Sequence, residues 1–165
     1  MNDQSSEFAA QDVLLDPALS GGLTGVLDSG RHRLLARVYY ADTDFSGVVY
    51  HARYLEFLER GRSDFLRLVG VHHTELADGA LGEKIAWVVR RMEIDFRSPA
   101  HIDDIILVET RVESVSGARV FMAQRLSRGS DLLVTARVEA AIMGENGRPK
   151  RFPREWMAAF LPSDA

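Results

Sequence analysis

The chain contains no cysteine, which excludes disulfides, thiolate nucleophiles and cysteine-ligated zinc or iron–sulfur centres, and leaves any covalent chemistry to oxygen or nitrogen. Long hydrophobic runs are also missing. Runs such as Ile85 to Val89 and Ile105 to Val108 fall far short of the roughly 18 to 20 residues a membrane-spanning helix needs, so no stable membrane insertion is expected. Lysine and arginine are absent from Met1 to Gly30, a stretch that carries five acids: Asp3, Glu7, Asp12, Asp16 and Asp28. A secretory signal opens on basic residues, so the expected location is cytoplasmic. Lysine is scarce throughout, since 18 of the 20 basic residues are arginines. Arginine pairs with phosphate in bidentate fashion and stacks on planar rings, which suits a nucleotide-like ligand, although genome composition produces the same bias. Net charge is −4. Without the first 30 residues the balance is 20 basic against 19 acidic side chains, so no nucleic-acid partner is expected.

At 165 residues and 46% hydrophobic, the chain can bury one substantial core, and one domain is expected. Residues 1–30 lack a sustained period and include Gly21-Gly22, which reads as a mobile N-terminal extension ahead of a domain at 31–165. The run Arg33 to Tyr40 reads as a strand entering the loop Ala41 to Gly47. Tyr54, Phe57, Leu58, Gly61, Phe65 and Leu68 then recur at steps of three and four, with Glu56, Glu59, Arg60, Arg62, Asp64 and Arg67 filling the other face. This spacing predicts an amphipathic helix over about 51–69. A glycine at position 61 costs the helix roughly 1 kcal/mol against alanine, so a close approach of another element is expected there. Gly70 supplies the stop.

Beyond a loop with Gly79 and Gly82 the period becomes two. Ile85, Trp87 and Val89 alternate, then Met92, Ile94 and Phe96 on the opposite parity, and a bulge near Arg90-Arg91 explains the change of phase. Three more strands follow. Their inward rows are Ile106, Val108, Thr110 and Val112; then Val120, Met122 and Leu126; then Leu132, Val134, Ala136, Val138, Ala140 and Ile142. Ser116-Gly117 and Gly129-Ser130 mark the hairpins. After the turn Asn146-Gly147, Pro153 to Leu161 predicts a short terminal helix. One strand, one long helix and four antiparallel strands make an α+β chain whose sheet must wrap the helix, an order that matches the hotdog fold.

Taken alone, Asp42-Thr43-Asp44 followed by Gly47 signals only a turn or a cap. The wider segment is more specific. It runs Arg37-Val38-Tyr39-Tyr40-Ala41-Asp42-Thr43-Asp44, Gly47-Val48-Val49-Tyr50-His51, Tyr54 and Glu59-Arg60, then Ala86-Trp87-Val88-Val89-Arg90-Arg91-Met92, Phe96-Arg97-Ser98-Pro99-Ala100 and Asp103-Asp104. It resembles the YbgC-type and 4-hydroxybenzoyl-CoA thioesterases over about residues 33–160. The resemblance implies a five-stranded antiparallel sheet wrapped around a central helix, dimers that share active sites, and tetramers built from two dimers. The acidic leader departs from the compact family members.

By the same resemblance, Asp44 is the catalytic carboxylate and the backbone N–H of His51 the oxyanion donor. Thioester hydrolysis needs a nucleophile or a base that activates water, and a carboxylate serves as either. Helix-start N–H groups and the helix dipole can meet the charge that develops. The His51 ring reads first as capping or packing and second as a group that orients Asp44 or substrate. Gly47, Val48, Tyr50 and Tyr54 are placed with substrate, Tyr50 and Tyr54 at the acyl pocket or dimer seam, with packing as their plainer role. Glu59 is a reserve candidate, because other hotdog enzymes use a helical glutamate. Arg90 and Arg91, with Arg97 and Arg128, are candidates for the CoA phosphates or simply a solvated strand face. His72-His73 lack carboxylates at ligand spacing, so no metal is expected. No cofactor is expected either, since CoA belongs to the substrate. The expected activity is hydrolysis of acyl-CoA by a homodimer or homotetramer. Two alternatives stand beside it: a hotdog 3-hydroxyacyl dehydratase, and a binding module for acyl carrier protein or the Tol-Pal and phospholipid-synthesis proteins.

Overall fold

The computed structural model describes residues 22–79 and 82–161. Strand β1 (Val26–Asp28) turns into β2 (Arg31–Arg37) through Ser29 and Gly30, whose φ angles of 48° and 73° are those of a tight hairpin of primed type. A 3-10 turn (Tyr40–Asp42) leads to the long helix α1 (His51–Leu68), and a short helix α2 (His73–Ala77) follows. The sheet is completed by β3 (Ile85–Phe96), β4 (Ile105–Ser116), β5 (Arg119–Arg128), β6 (Asp131–Gly144) and β7 (Pro149–Lys150), and helix α3 (Arg154–Phe160) ends the fold. Strand order is β1-β2-β4-β5-β6-β3, with β7 on the end of β6 and every pairing antiparallel. Five long strands curl around α1 as the hotdog expectation requires, with the short β1 and β7 added.

Helix α1 buries Tyr54, Phe57, Leu58, Gly61, Arg62, Phe65 and Leu66, one stripe at three- and four-residue steps. Its first half closes a cluster with Val38, Ala100, Ile106, Val108, Leu126 and Val134. Its second half joins Met122, Val138, Ile142, Phe152, Trp156 and Phe160. A polar layer lies between them. Arg62, on the solvated face in the periodic reading, is only 6% exposed, and its Nη1 donates to Gln124 Oε1 at 2.8 Å. Gln124 Nε2 donates in turn to the Leu58 carbonyl at 2.9 Å and to Thr110 Oγ1 at 2.8 Å. A buried guanidinium is tolerable because these partners replace its water. Leu68, assigned to the apolar stripe, is 39% exposed, and Leu66 takes its place.

A Cβ on Gly61 would lie 2.6 Å from Val108 Cγ1, so the close approach expected there exists, and it is with β4. The bulge on β3 falls between Val89 and Arg91, as the change of phase requires. A second bulge escaped the alternation. The β5–β6 register shifts between Leu126 and Ser127, and this turns Leu133 rather than Leu132 into the core. His73 is the first residue of α2. Near the amino end, Asp64 Oδ2 lies 2.7 Å from Nε2 of buried His32 and accepts the Gly25 N–H at 2.6 Å. Strand β1 and this packing lie ahead of residue 31, and the rest of the extension expected for 1–30, residues 1–21, lies outside the described residues.

Candidate active site

The loop from Tyr39 to Tyr50 is closed by its own backbone. The Asp42 carboxylate accepts the Tyr39 N–H at 2.8 Å, and the Asp42 carbonyl accepts the Tyr50 N–H at 2.9 Å. Asp44 N–H donates to the Val48 carbonyl and Gly47 N–H to the Asp44 carbonyl, both at 3.0 Å. This four-residue turn needs a left-handed residue at position 47, where φ is +80°, and glycine adopts it without steric cost. Val49 N–H donates to the Ala100 carbonyl at 2.8 Å, and the Tyr54 hydroxyl accepts the Ala100 N–H at 2.9 Å. The loop is thus fixed at the amino end of α1 to the segment leaving β3.

Asp44 stands exposed at the tip of this turn. Its Oδ1 accepts two hydrogen bonds from Ser46, from the hydroxyl at 2.5 Å and from the backbone N–H at 2.8 Å. The Ser46 hydroxyl first, then its N–H, hold the Asp44 carboxyl below the usual aspartate range against a small opposing effect of desolvation, and the nearby His51 imidazole acts in the same direction. The group is therefore ionised at neutral pH. Tyr50 is the N-cap of α1 and its side chain makes no capping bond. Among the described residues the N–H groups of His51 and Ala52 have no acceptor, so the positive end of the helix is open beside Asp44.

An aromatic cluster lies at the amino end of α1. The Tyr50 and His51 rings are 4.4 Å apart, Phe96 meets His51 edge-on at 6.5 Å, and Tyr54 lies 5.7 Å from Phe96. The sequence marks Phe96 only as a strand residue. Tyr54 is buried, and burial raises its phenol above its ordinary range. Tyr50 is exposed, and Val48 is half-buried in a bridge to His101. Phe45, Tyr39 and Tyr40 stand fully or largely in solvent around the loop.

The other candidates lie elsewhere. Glu59 is eight residues beyond His51, about 12 Å along the helix, and is bonded to Arg62. It opens on a separate crevice of about 90 Å³ lined by Leu66, Trp87 and Met122. Arg90 pairs with Glu139 at 2.7 Å and Arg91 with Glu93 at 2.6 Å. Arg128 binds Asp104 at 2.6 Å and Asp131 at 3.1 Å, which ties the start of β6 to the end of the 97–104 connection. A hollow of about 510 Å³ is lined by Glu109, Arg111, Glu113, Arg125 and Arg137 on the outer face of the sheet, where the side chains satisfy one another and Asp44 takes no part. Among the described residues no group of three or more His, Cys, Asp or Glu is placed to hold a metal ion.

Residues 38–161 match the family model described as the thioesterase-like superfamily. The chain is 41% identical over 136 residues to the acyl-CoA thioesterase YbgC of Haemophilus influenzae, covering 82% of this chain and 97% of that protein. The chain belongs to the YbgC-type thioesterases. Among solved structures, a probable thioesterase from Bartonella henselae superposes with a TM-score of 0.73 at 57% identity, covering 74% of this chain and 99% of the other. A 1,4-dihydroxy-2-naphthoyl-CoA thioesterase from Synechocystis shares the fold with a TM-score of 0.74 at 24% identity, over 82% and 99% of the two chains. Most of this YbgC-type chain, from the catalytic-loop candidate to α3, is therefore common to the group, while residues 1–37 precede the region the family model matches.

Proposed function

We propose that this protein hydrolyses acyl-CoA to free acid and CoA, with the Asp44 carboxylate directed at the thioester carbon and the His51 N–H facing the thioester oxygen. One observation carries the reading: the Asp44 carboxylate stands on the closed loop that runs directly into the uncapped amino end of a long helix. Attack by a water that the carboxylate deprotonates, or by the carboxylate itself to give a mixed anhydride that water then hydrolyses, forms a carbon–oxygen bond and breaks the carbon–sulfur bond. CoA leaves as a thiolate, a weak enough base to need little help. The developing oxyanion is met by N–H groups already in place, so no reorganisation is required. The His51 ring, close enough for its charge to act on Asp44, serves to orient the carboxylate. The relatives named as acyl-CoA thioesterases support the substrate class.

Exposure of Asp44 in a single subunit supports a site completed by a second copy. Among the described residues β3 has a strand neighbour on one side only, and Val88, Val89 and Phe96 are exposed along it, with Tyr39, Tyr40, Phe45 and Tyr50 exposed on the proposed catalytic loop. A partner docked on this edge would cover the aromatic cluster and give the acyl chain a desolvated channel. The test is thiol release from a panel of acyl-CoA substrates by the native chain and by Asp44→Asn. The amide preserves shape but is neither a base nor a good nucleophile, so turnover should fall by about 10² to 10⁴ with unchanged circular dichroism. A near-native rate in Asp44→Asn would remove Asp44 from the mechanism.

A further inference from the structure

Ser46 has no role assigned by the reading above, yet its side chain and backbone both address the reacting carboxylate. The two oxygens of Asp44 are chemically equal in isolation, and the terminal torsion of an aspartate is broad, so a free carboxylate on an exposed turn would present either one. Here they differ. Oδ1 accepts the Ser46 hydroxyl at 2.5 Å and the Ser46 N–H at 2.8 Å, whereas Oδ2 has no hydrogen-bond partner among the described residues. The turn that creates this arrangement is secured independently, by the Gly47 N–H to Asp44 carbonyl bond and the Asp44 N–H to Val48 carbonyl bond. The hydroxyl is therefore not needed to form the loop.

We propose that Ser46 is a positioning residue of the thioesterase, clamping Oδ1 of Asp44 so that Oδ2 is the oxygen presented to the thioester or its attacking water. The proposal rests on the catalytic reading of Asp44. An anchored oxygen fixes the carboxylate plane and removes rotational states that cannot react, a contribution made to turnover rather than to binding. A donor on the carboxylate also favours its ionised form, in agreement with the lowered Asp44. The other charged groups near the loop are accounted for. His51 on α1 acts on Asp44 in the same direction. Asp42 is turned to the Tyr39 N–H and Arg53, and His101, across the bridge from Val48, lies near Asp104.

The test compares native, Ser46→Ala, Ser46→Thr and Asp44→Asn proteins in full pH profiles of kcat and kcat/KM on one acyl-CoA. Ser46→Ala keeps the backbone donor and loses the hydroxyl. Its kcat should fall about tenfold, less than the hundredfold that a full ångström of misplacement can cost. KM should be unchanged and the acidic limb of kcat/KM should move to higher pH. Ser46→Thr, which restores a hydroxyl, should restore both. A native rate and an unmoved limb in Ser46→Ala, beside an inactive Asp44→Asn, overturn the proposal alone. A loss in Ser46→Ala that leaves the limb in place, or that threonine does not rescue, assigns Ser46 to loop structure and overturns it as well. Full activity in Asp44→Asn overturns both this proposal and the reading beneath it.

Discussion

Replacing Gly61 with alanine sets two opposed effects against each other at one atom. Alanine in a helix interior is favoured over glycine by about 1 kcal/mol, so an exposed Gly61 would gain from the change. Position 61 instead faces β4, where the new Cβ would lie 2.6 Å from Val108 Cγ1, 3.0 Å from Thr110 Oγ1 and 3.4 Å from Gln124 Nε2. Val108 is fully buried and stiff at its branched carbon, and its strand is held by β2 and β5, so the methyl group cannot swing aside. Overpacking of a close-packed core costs about 1 to 3 kcal/mol, and contact with rigid walls puts the cost near the upper end. The net expectation is destabilisation by about 2 kcal/mol, or about 4 to 8 °C in Tm for a chain of this size. Urea unfolding at fixed protein concentration reads it as a lower midpoint with unchanged slope. In a Val108→Ala background the 2.6 Å contact is gone and the 3.0 Å approach to Thr110 Oγ1 remains, so the same change should be close to neutral, a coupling typical of touching residues. A higher midpoint for Gly61→Ala alone would refute the reasoning.

Tyr54→Phe removes the acceptor of the buried Ala100 N–H and should cost about 1 to 3 kcal/mol of stability, with equilibrium unfolding as the check. Because burial raises the Tyr54 phenol above its ordinary value, no alkaline limb below pH ~10 should vanish in that variant. Asp104 is the acid-stability reporter. Burial disfavours its charge, but the His101 N–H and the Arg128 guanidinium outweigh this and leave its carboxyl lowered. A depressed folded value means stabilisation that is present above the unfolded value of about 3.9 and lost as pH falls through the folded one. Arg128→Ala should therefore unfold at higher pH on acid titration, whereas near neutrality the same variant retains the His101 bond. A parallel acid profile for the two proteins would contradict this.

Elements governed by a local period were legible in the sequence: the bounds of α1, the bulge on β3, the hairpins at 117 and 129, and α3. The Asp44 loop was legible because its turn residues are contiguous. Features set by partners far along the chain were not. Arg62 has a polar side chain whose burial depends on Gln124, 62 residues away, and no helical period can show that. Leu132 looked inward until the register shift beside Ser127 displaced it. Phe96 could be assigned to a strand, but only the sheet order reveals that β3 is an edge among the described strands, and only the packing that Phe96 meets His51 and Tyr54 on α1. Ser46 did carry a signal: an aspartate two residues before a small hydroxyl residue and three before glycine commonly folds its side chain back onto the backbone. Arg90 and Arg91 read as open cations, and the Glu139 partner of Arg90, across the sheet on β6, was invisible without the register.

At the start of α1 a local rule is set aside at the point where the proposed chemistry would need it. Serine, threonine, aspartate or asparagine at an N-cap is worth about 1 kcal/mol, yet position 50 is tyrosine and caps nothing. A capping side chain would occupy N–H groups of the first turn, and an acidic one would place its charge where the oxyanion is to form. Tyr50→Asp should therefore act with opposite signs on two measurements. It should stabilise the helix by about 0.5 to 1 kcal/mol, less whatever the Tyr50–His51 ring contact contributes, while kcat falls through repulsion of the developing charge. Tyr50→Phe keeps the ring and adds no cap, so it should leave both close to native. If Tyr50→Asp turned over acyl-CoA at the rate of Tyr50→Phe, the open amino end of α1 would not be where the thioester oxygen sits.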